Sequence, residues 1–212
     1  MPDGQKALWP ELSRTPENFV LYGGTAMALR LGHRRSEDFD FFCNEAFEPE
    51  QLSREIPYLR AARIDSRGNN TLIAVVNRGS PVRISFFGDV HMNHVNDPDV
   101  VDTGIQIASL LDLMAMKLKT VQQRAEAKDY SDIAAALRSG VSLSEALGAA
   151  EAIYGGVFNA IAALKALSYF QDGNLPSLPA DIQNLLSAQA KTIELKNIPR
   201  IAARAGITRS SQ

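Results

Sequence analysis

Cysteine is nearly absent from this sequence, and long apolar runs are missing altogether. The 212 residues contain a single cysteine, Cys43, which excludes an internal disulfide and is typical of a reducing compartment. No apolar run approaches the roughly 18 residues that a membrane-spanning helix needs, and the N-terminus lacks the basic-then-apolar pattern of a secretion signal. We therefore expect a cytoplasmic protein without a membrane partner.

An excess of charge of either sign is lacking as well. The 22 basic and 24 acidic residues give a formal net charge of −2, so there is no global attraction to nucleic acid. A polyanionic partner would have to bind a local basic patch. The hydrophobic fraction of 45% and the charged fraction of 22% are ordinary for a globular chain of one compact domain or one domain with an appendage.

The two halves of the chain differ in composition. Short apolar or alternating segments predict strands at 19–22, 38–42, 71–77 and 82–87, with a hairpin across Asn77–Pro81. Helices are predicted from Thr25 and between Glu48 and Leu59. From about Gly104 the sequence turns helical, and Ser142 with Glu145 forms a capping-box start. We predict a mixed α/β head with a small mixed sheet at residues 1–102 and an α-helical region at 103–212 packed on it.

The segment "DFDFF" places two aspartates in the most aromatic part of the chain. Side chains alternate along a strand, so Asp38 and Asp40 share one face while Phe39 and Phe41 point to the core. Two carboxylates roughly 6–7 Å apart repel each other, and a divalent cation removes that penalty. Mg²⁺, which binds one or two carboxylates together with phosphate oxygens and water, is the expected ion, with Mn²⁺ as a substitute.

The glycines upstream complete a phosphate site. Gly23 and Gly24 allow backbone N–H groups to approach a ligand, and Thr25 adds a hydroxyl at a helix start, where an anion is favoured. A triphosphate on this corner, bridged by metal to the aspartates, forms one coherent site. The simpler interpretation is a tight turn beside a solvated strand.

At these residues the chain resembles a known family. "GGTAMALRLGHRRSEDFDFF" is similar to the nucleotidyltransferase-type toxins of the AbiEii/AbiGii family, a branch of the polymerase-β-like nucleotidyltransferases. A second segment, "MAMKLKTVQQRAEAKDYSDI", resembles the family's lysine followed by K-D-Y-x-D. The second match falls on Lys117, Arg124, Lys128, Asp129 and Asp132.

The second segment carries a basic row when it is considered alone. Lys117, Arg124 and Lys128 lie seven and four residues apart, so a continuous helix would place them on one stripe. The alternative is a solvated charged face, with Asp129 or Asp132 capping the next helix or pairing with Lys128. The resemblance implies that Lys117 binds nucleotide phosphates and that Asp129 is a supporting carboxylate, with Arg124 and Lys128 as further nucleotide contacts.

One position departs from the superfamily pattern. A third carboxylate often stands on a later strand as general base, and here that strand, "VRISFF", carries Ser85. Serine cannot act as that base at neutral pH. The base therefore comes from Asp129, from the substrate or from no residue, with Asp65 and Asp89 as less well-placed alternatives.

The resemblance implies a nucleotidyltransferase-like head and a Mg²⁺-dependent transfer of a nucleotide from an NTP to an acceptor hydroxyl. Asp38 and Asp40 would bind the metal, and Arg34 and Arg35 would screen the triphosphate. The family also implies a toxin of a toxin–antitoxin or abortive-infection system, an RNA acceptor such as tRNA, and a cognate antitoxin protein. A small-molecule nucleotidyltransferase, a binding module without catalysis, and phosphoryl transfer are the alternatives.

Overall fold

The computed structural model describes residues 1–209, which form two compact units. The first unit comprises Met1–Met92, Asp97–Ser109 and the described chain from Ala205 onward; the second comprises Asn93–Asn96 and Leu110–Arg204. The chain therefore passes between the units more than once: it enters the second unit at Asn93–Asn96, returns to the first, and comes back to the first again after Arg204. The predicted domain boundary between residues 102 and 103 stays a prediction.

A mixed sheet of seven strands organises the described part of the first unit. The strands are β1 Val20–Tyr22, β2 Asp38–Phe42, β3 Arg63–Gly68, β4 Thr71–Asn77, β5 Pro81–Phe87, β6 Asp99–Val100 and β7 Gln106–Ile107. Their spatial order is β3-β4-β5-β2-β1-β7-β6. The pairs β2–β5 and β1–β7 are parallel and the others antiparallel, so the predicted mixed sheet is confirmed.

One face of this sheet is apolar and the other is polar near β2. Phe39, Phe41 and Phe86 are fully buried, and the rings of Phe41 and Phe86 stack with centroids 5.4 Å apart. On the opposite face of the same two strands, Asp38 and its register partner Arg83 are exposed. Alternation along each strand therefore places the core side chains on one face of the sheet and the candidate site residues on the other.

In the described part of the first unit, three α-helices and two 3-10 helices accompany the sheet. The α-helices are α1 Asp3–Leu8, α2 Gly23–Leu31 and α3 Pro49–Glu55, and the 3-10 helices are Trp9–Arg14 and Pro57–Leu59. Helix α2 begins at Gly23, two residues before the predicted start at Thr25. It ends at Leu31, and the φ of 63° at the following Gly32 is the left-handed conformation that favours glycine just after a helix.

The second unit is helical. It contains α4 Leu110–Thr120, α5 Ala127–Arg138, α6 Leu143–Tyr154, α7 Ala160–Ala166 and α8 Ala180–Thr192, with 3-10 helices at Gly155–Val157, Leu175–Ser177 and Leu195–Asn197. The Ser142 hydroxyl accepts a hydrogen bond from the Glu145 backbone N–H at 3.4 Å, which confirms the predicted start of α6.

The condition for a basic stripe, a continuous helix through residues 117–128, is not met. Helix α4 ends at Thr120, where the backbone N–H groups of Gln123 and Arg124 both donate to the Thr120 carbonyl and form a turn. Helix α5 then begins after the extended residue Glu126.

No single helix within residues 1–209 combines the length and apolar composition needed to cross a bilayer. Two helical segments, Leu143–Val157 and Ala160–Ala166, have that length and apolar composition only when they are taken together, and they are bent by 118° relative to each other.

Candidate active site

The two aspartates of β2 lie on the polar face of the sheet. Phe39 and Phe41 are 0% exposed, whereas Asp38 is exposed and Asp40 is half-buried. Asp38 and Asp40 therefore share a face, as the alternation predicts, while the phenylalanines bury the other side of the strand. Both carboxylates are held in place by a strand that is anchored in the core.

The glycine corner is in direct contact with this strand. Tyr22, the last residue of β1, is paired with Asp40, so the corner that follows lies beside the second aspartate. Gly23 has a φ of +73°, and a Cβ added there would lie 2.7 Å from the Asp40 carboxylate oxygen Oδ2. Glycine is required twice over, because the backbone conformation and the approach of Asp40 both exclude a side chain.

Thr25 and Arg34 add polar groups to the same corner. The Thr25 hydroxyl donates to the backbone carbonyl of Asp38, which ties the first turn of α2 to β2. A Cβ at Gly24 would lie 2.5 Å from Nη2 of Arg34 and 3.0 Å from Oγ of Ser36, so both side chains rest against the Gly24 backbone. The structure thus brings together the predicted Gly23, Gly24, Thr25, Arg34, Asp38 and Asp40. The Arg35 residue is exposed, and its backbone carbonyl accepts a hydrogen bond from Arg34 Nη1 at 3.0 Å.

The neighbouring strand carries no acid at the matching positions. Register pairs Asp40 with Ser85 and Asp38 with Arg83, and Ser85 is 3% exposed. Ser85 therefore lies directly beside Asp40, where a third carboxylate would be expected. Arg83 is a basic neighbour of the aspartates that sequence reasoning did not single out, although the alternation of "VRISFF" places it on their face.

The two alternative acids have other partners. Asp65 pairs with Nε of Arg63 at 2.9 Å and with Nη1 of Arg83 at 3.9 Å. Asp89 lies 3.2 Å from Nε2 of His91 in a segment with positive φ. The two arginines favour charge compensation over a role as general base for Asp65.

The carboxylates present fit a hard divalent cation that is shared with a substrate. Among residues 1–209, no three His, Cys, Asp or Glu side chains gather into a group that could hold a metal by themselves. Two neighbouring carboxylates are the protein contribution that Mg²⁺ usually receives when phosphate oxygens and water supply the remaining ligands. Asp38 and Asp40 match that donor set.

A buried ionic cluster forms in the second unit. Lys117 Nζ lies 2.7 Å from Oδ1 of Asp129 and 2.7 Å from Oδ2 of Asp132. Arg124 contacts Asp129 as well, with Nε 2.8 Å from Oδ2 and Nη2 3.2 Å from Oδ1. Lys117 is 5% exposed, and both aspartates are 0% exposed. We call these four residues the Lys117 cluster; its two cations and two anions balance.

The electrostatics of Asp129 follow from its neighbours. Burial by itself would raise the pKa of Asp129, but the hydrogen bonds and charges of Arg124 and Lys117 outweigh burial and hold that pKa below its ordinary value. Because its pKa is lowered, Asp129 is ionised at neutral pH. The Lys117 ammonium has three N–H donors, of which the two aspartates account for two.

The predicted basic stripe is replaced by a different arrangement. Because the helix is interrupted after Thr120, Lys117 and Arg124 do not share a helical face but converge on Asp129 in the first turn of α5. Lys128 is exposed and pairs with Glu126 at 2.9 Å. Asp132 was visible in the K-D-Y-x-D match, yet its contact with Lys117 could not be inferred from spacing across a helix break.

Three further polar or reactive side chains are buried. Asp112 is 1% exposed, and its carboxylate accepts hydrogen bonds from the backbone N–H groups of Val95 and Asn96 at 2.6 and 3.1 Å. His94 is also 1% exposed. Cys43 is buried, and burial raises the pKa of its thiol to about 12.

Comparisons with known proteins agree with this architecture. The family model described as nucleotidyl transferase AbiEii toxin, type IV TA system, matches residues 8–200. An uncharacterized protein of Aquifex aeolicus (strain VF5) is 34% identical over 158 residues, which cover 73% of this chain and 75% of that protein.

Two solved structures share the fold. The nucleotidyltransferase toxin MenT4 from Mycobacterium tuberculosis H37Rv aligns with a TM-score of 0.60 and 14% identity, over 91% of this chain and 83% of that one. A protein of H. pylori assigned as a nucleotidyltransferase aligns with a TM-score of 0.52 and 19% identity, over 91% of this chain and 92% of that one. At such identities the likeness concerns the fold, which confirms the predicted nucleotidyltransferase-like class.

Proposed function

Since the chain belongs to the nucleotidyl transferase AbiEii toxin family of type IV toxin–antitoxin systems, we propose that it transfers a nucleotide from an NTP to a hydroxyl group of RNA. A tRNA is the acceptor we favour, and Mg²⁺, or Mn²⁺ in its place, is the metal. The observation that carries the proposal is the contact between the glycine corner and Asp40, with Gly23 held at φ +73° against the carboxylate. This contact joins a backbone phosphate cradle to a pair of metal-binding carboxylates.

Different residues of the first unit would bind the metal and the triphosphate. Asp38 and Asp40 would hold the divalent cation, which would neutralise charge developing on the transferred phosphate. The backbone at Gly23 and Gly24 and the N-terminal end of α2 favour the triphosphate. Arg34, which rests against Gly24, supplies the nearest guanidinium, and Arg35 is the second cation of this loop.

The Lys117 cluster supports a binding role more than a proton-transfer role. Both carboxylate oxygens of Asp129 already accept hydrogen bonds from cations, so Asp129 is better suited to fixing Lys117 and Arg124 than to accepting a proton from a hydroxyl. We assign the third N–H of Lys117 to a phosphate oxygen of the substrate. Arg124 and Lys128 stay further candidates for nucleotide contacts.

A cognate antitoxin protein is the partner we propose, because the family is defined within two-component systems. We also place the reaction in the cytoplasm, where NTP and tRNA are both present and where a single buried thiol such as Cys43 stays reduced.

The decisive experiment separates the two ends of the triphosphate. Purified protein is incubated with Mg²⁺ and total RNA, and with each NTP carrying label on the α-phosphate or, separately, on the γ-phosphate. We expect only α-label to enter RNA, and we expect a chelator to abolish the incorporation. Incorporation of γ-label alone, into RNA or protein, would replace nucleotidyl transfer by phosphoryl transfer. Repeating the assay with RNA depleted of tRNA tests the acceptor.

A further inference from the structure

A cavity of about 310 Å³ lies in the first unit between α1, α2 and the loop that leads to Asp38. Its lining combines polar side chains with an apolar wall, and we call it the Gln5 cavity after the residue that α1 contributes. The residues used below are Gln5, Thr25, Ala28, Leu29, Arg34 and Ser36. The volume falls at the lower end of the roughly 300–1,000 Å³ that ligand pockets occupy.

Gln5 is the unusual member of this lining. It is 1% exposed, and within residues 1–209 neither the amide nitrogen nor the amide oxygen of its side chain has a hydrogen-bond partner. Buried side-chain amides almost always have partners, because an unpaired one loses its hydration without compensation. A carboxamide presents a donor and an acceptor side by side, so its natural partner is a ligand edge with the complementary pair.

The cavity and the glycine corner share side chains. Arg34 and Ser36, which line the cavity, are the two side chains that rest against Gly24. Thr25 lines it as well and donates its hydroxyl hydrogen to the backbone of Asp38. A ligand in the cavity would therefore have an apolar wall at Ala28 and Leu29 and a guanidinium and hydroxyls at one end. Once the buried Gln5 side chain turns toward the ligand, its carboxamide would add an unpaired hydrogen-bonding group.

We propose that the Gln5 cavity receives the base of the donor NTP and that Gln5 determines which NTP is preferred. A nucleobase is planar and apolar on its faces, and its edge carries neighbouring donors and acceptors that a carboxamide can pair with. The proposal rests on the proposed function in one respect, namely that the triphosphate occupies the glycine corner. It adds a specificity-determining residue that lies outside the motifs of the glycine corner and the aspartates.

Equilibrium binding of ATP, GTP, CTP and UTP in the presence of Mg²⁺ tests the proposal without turnover. The variants are Gln5→Leu, which removes both polar atoms at similar size, and Gln51→Leu, the same change at an exposed position of α3. We expect the wild-type protein and Gln51→Leu to prefer the same NTP. Gln5→Leu should bind that NTP roughly tenfold more weakly, the factor that one or two neutral hydrogen bonds supply, and should lose most of the preference.

A fold control accompanies the binding assay. Without nucleotide, Gln5→Leu should unfold at the same or a higher temperature than the wild type, because it removes a buried unpaired amide. If Gln5→Leu is destabilised, Gln5→Glu takes its place, since it keeps the shape and replaces the amide donor with acceptors. A changed order of NTP preference is then expected.

The proposal is overturned if the wild-type protein binds all four NTPs equally or not at all, or if the Gln5 variant keeps the wild-type preference. Transfer of α-label to RNA by a protein whose preference does not depend on Gln5 would retain the proposed function and remove this inference. If the variant loses the preference but the wild-type protein transfers no label, this inference is retained and the proposed function is removed.

Discussion

Single side chains of the second unit show how buried charges are compensated. Lys117, Asp129 and Asp132 are each nearly or completely inaccessible, and an isolated charge in such a place would be strongly unfavourable. The Lys117 cluster avoids that cost by alternating cation and anion, with Arg124 closing one end toward solvent. Removal of one member leaves another buried charge uncompensated, so the loss exceeds what the pair itself contributes.

This arrangement predicts a pH-dependent effect of Asp129→Asn. The folded-state pKa of Asp129 lies below the unfolded value of roughly 3.9, so its contribution to stability is present above that value and is lost as pH falls through the folded pKa. At pH 7 the variant should lose about 3–5 kcal/mol of unfolding free energy. The gap to the wild type should shrink below about pH 4, measured by denaturant unfolding across a pH series.

The matched control for this series is Asp181→Asn, which alters an exposed ion pair with Arg138 at 2.6 Å. It should cost less than about 1 kcal/mol at any pH, because water and salt screen an exposed pair. A gap for Asp129→Asn that is constant from neutral to acidic pH would contradict the ionised, paired state assigned to Asp129.

A second prediction at this scale compares two glycines. Gly23 and Gly32 both have positive φ, but a Cβ meets Asp40 only at Gly23 and finds nothing within 4 Å at Gly32. Each change to alanine should therefore cost about 1–2 kcal/mol of stability from backbone strain. Only Gly23→Ala should also displace the Asp40 carboxylate and reduce transfer, by roughly 100-fold if the shift approaches 1 Å.

Denaturant unfolding and the α-label assay, run on both glycine variants, separate strain from the displacement of Asp40. Equal activity of Gly23→Ala and Gly32→Ala would show that the approach of Gly23 to Asp40 has no part in transfer.

At the scale of elements, a short segment is attached to a helix by one carboxylate. Asn93–Asn96 belongs to the second unit, and Asp112 in the first turn of α4 accepts hydrogen bonds from two backbone N–H groups of this segment. The segment is also paired with the chain near its end, through backbone hydrogen bonds between His94 and Arg204. Asp112 thus fixes a piece of backbone that has no helix of its own.

Asp112→Ala should destabilise the protein by about 3 kcal/mol, because two part-buried backbone donors lose their carboxylate acceptor. Glu151→Ala, an exposed change within α6, should stay within about 0.5 kcal/mol of the wild type. Hydrogen exchange would add a local measurement, with faster exchange expected at Val95 and Asn96. Unchanged exchange there in Asp112→Ala would argue against the proposed attachment.

Across the whole molecule, sequence patterns predict features that depend on neighbouring residues but not contacts between residues that are far apart in sequence. The alternation of "DFDFF" and the Ser142 start signal rest on neighbouring residues, and the structure has both. Strand β3 was missed because five of its six residues are exposed, so no apolar alternation marks it. The contact of Lys117 with Asp132 spans a helix break, and no spacing rule reaches across such a turn.

The candidate site divides in the same way. The contact between Gly23 and Asp40 follows from adjacent strands that a single helix and its loop connect, so the sequence order strand, glycines, helix, strand already indicates it. The pairing of Ser85 with Asp40 depends on the register of a parallel pair, β2 with β5, whose strands are distant in sequence. Register of that kind is set by the packing of the whole sheet.

We propose that Asp38 and Asp40 together support nucleotidyl transfer. The most direct test measures α-label entering RNA for Asp38→Asn and Asp40→Asn beside Asp99→Asn, a change in an exposed carboxylate of the same sheet that pairs with Arg30. Both first-unit site variants should fold as the wild type does and lose transfer by at least about 1,000-fold, since one neutral amide no longer compensates the metal. Asp99→Asn should keep it. Transfer at the wild-type rate by a folded Asp38→Asn or Asp40→Asn variant would contradict the account.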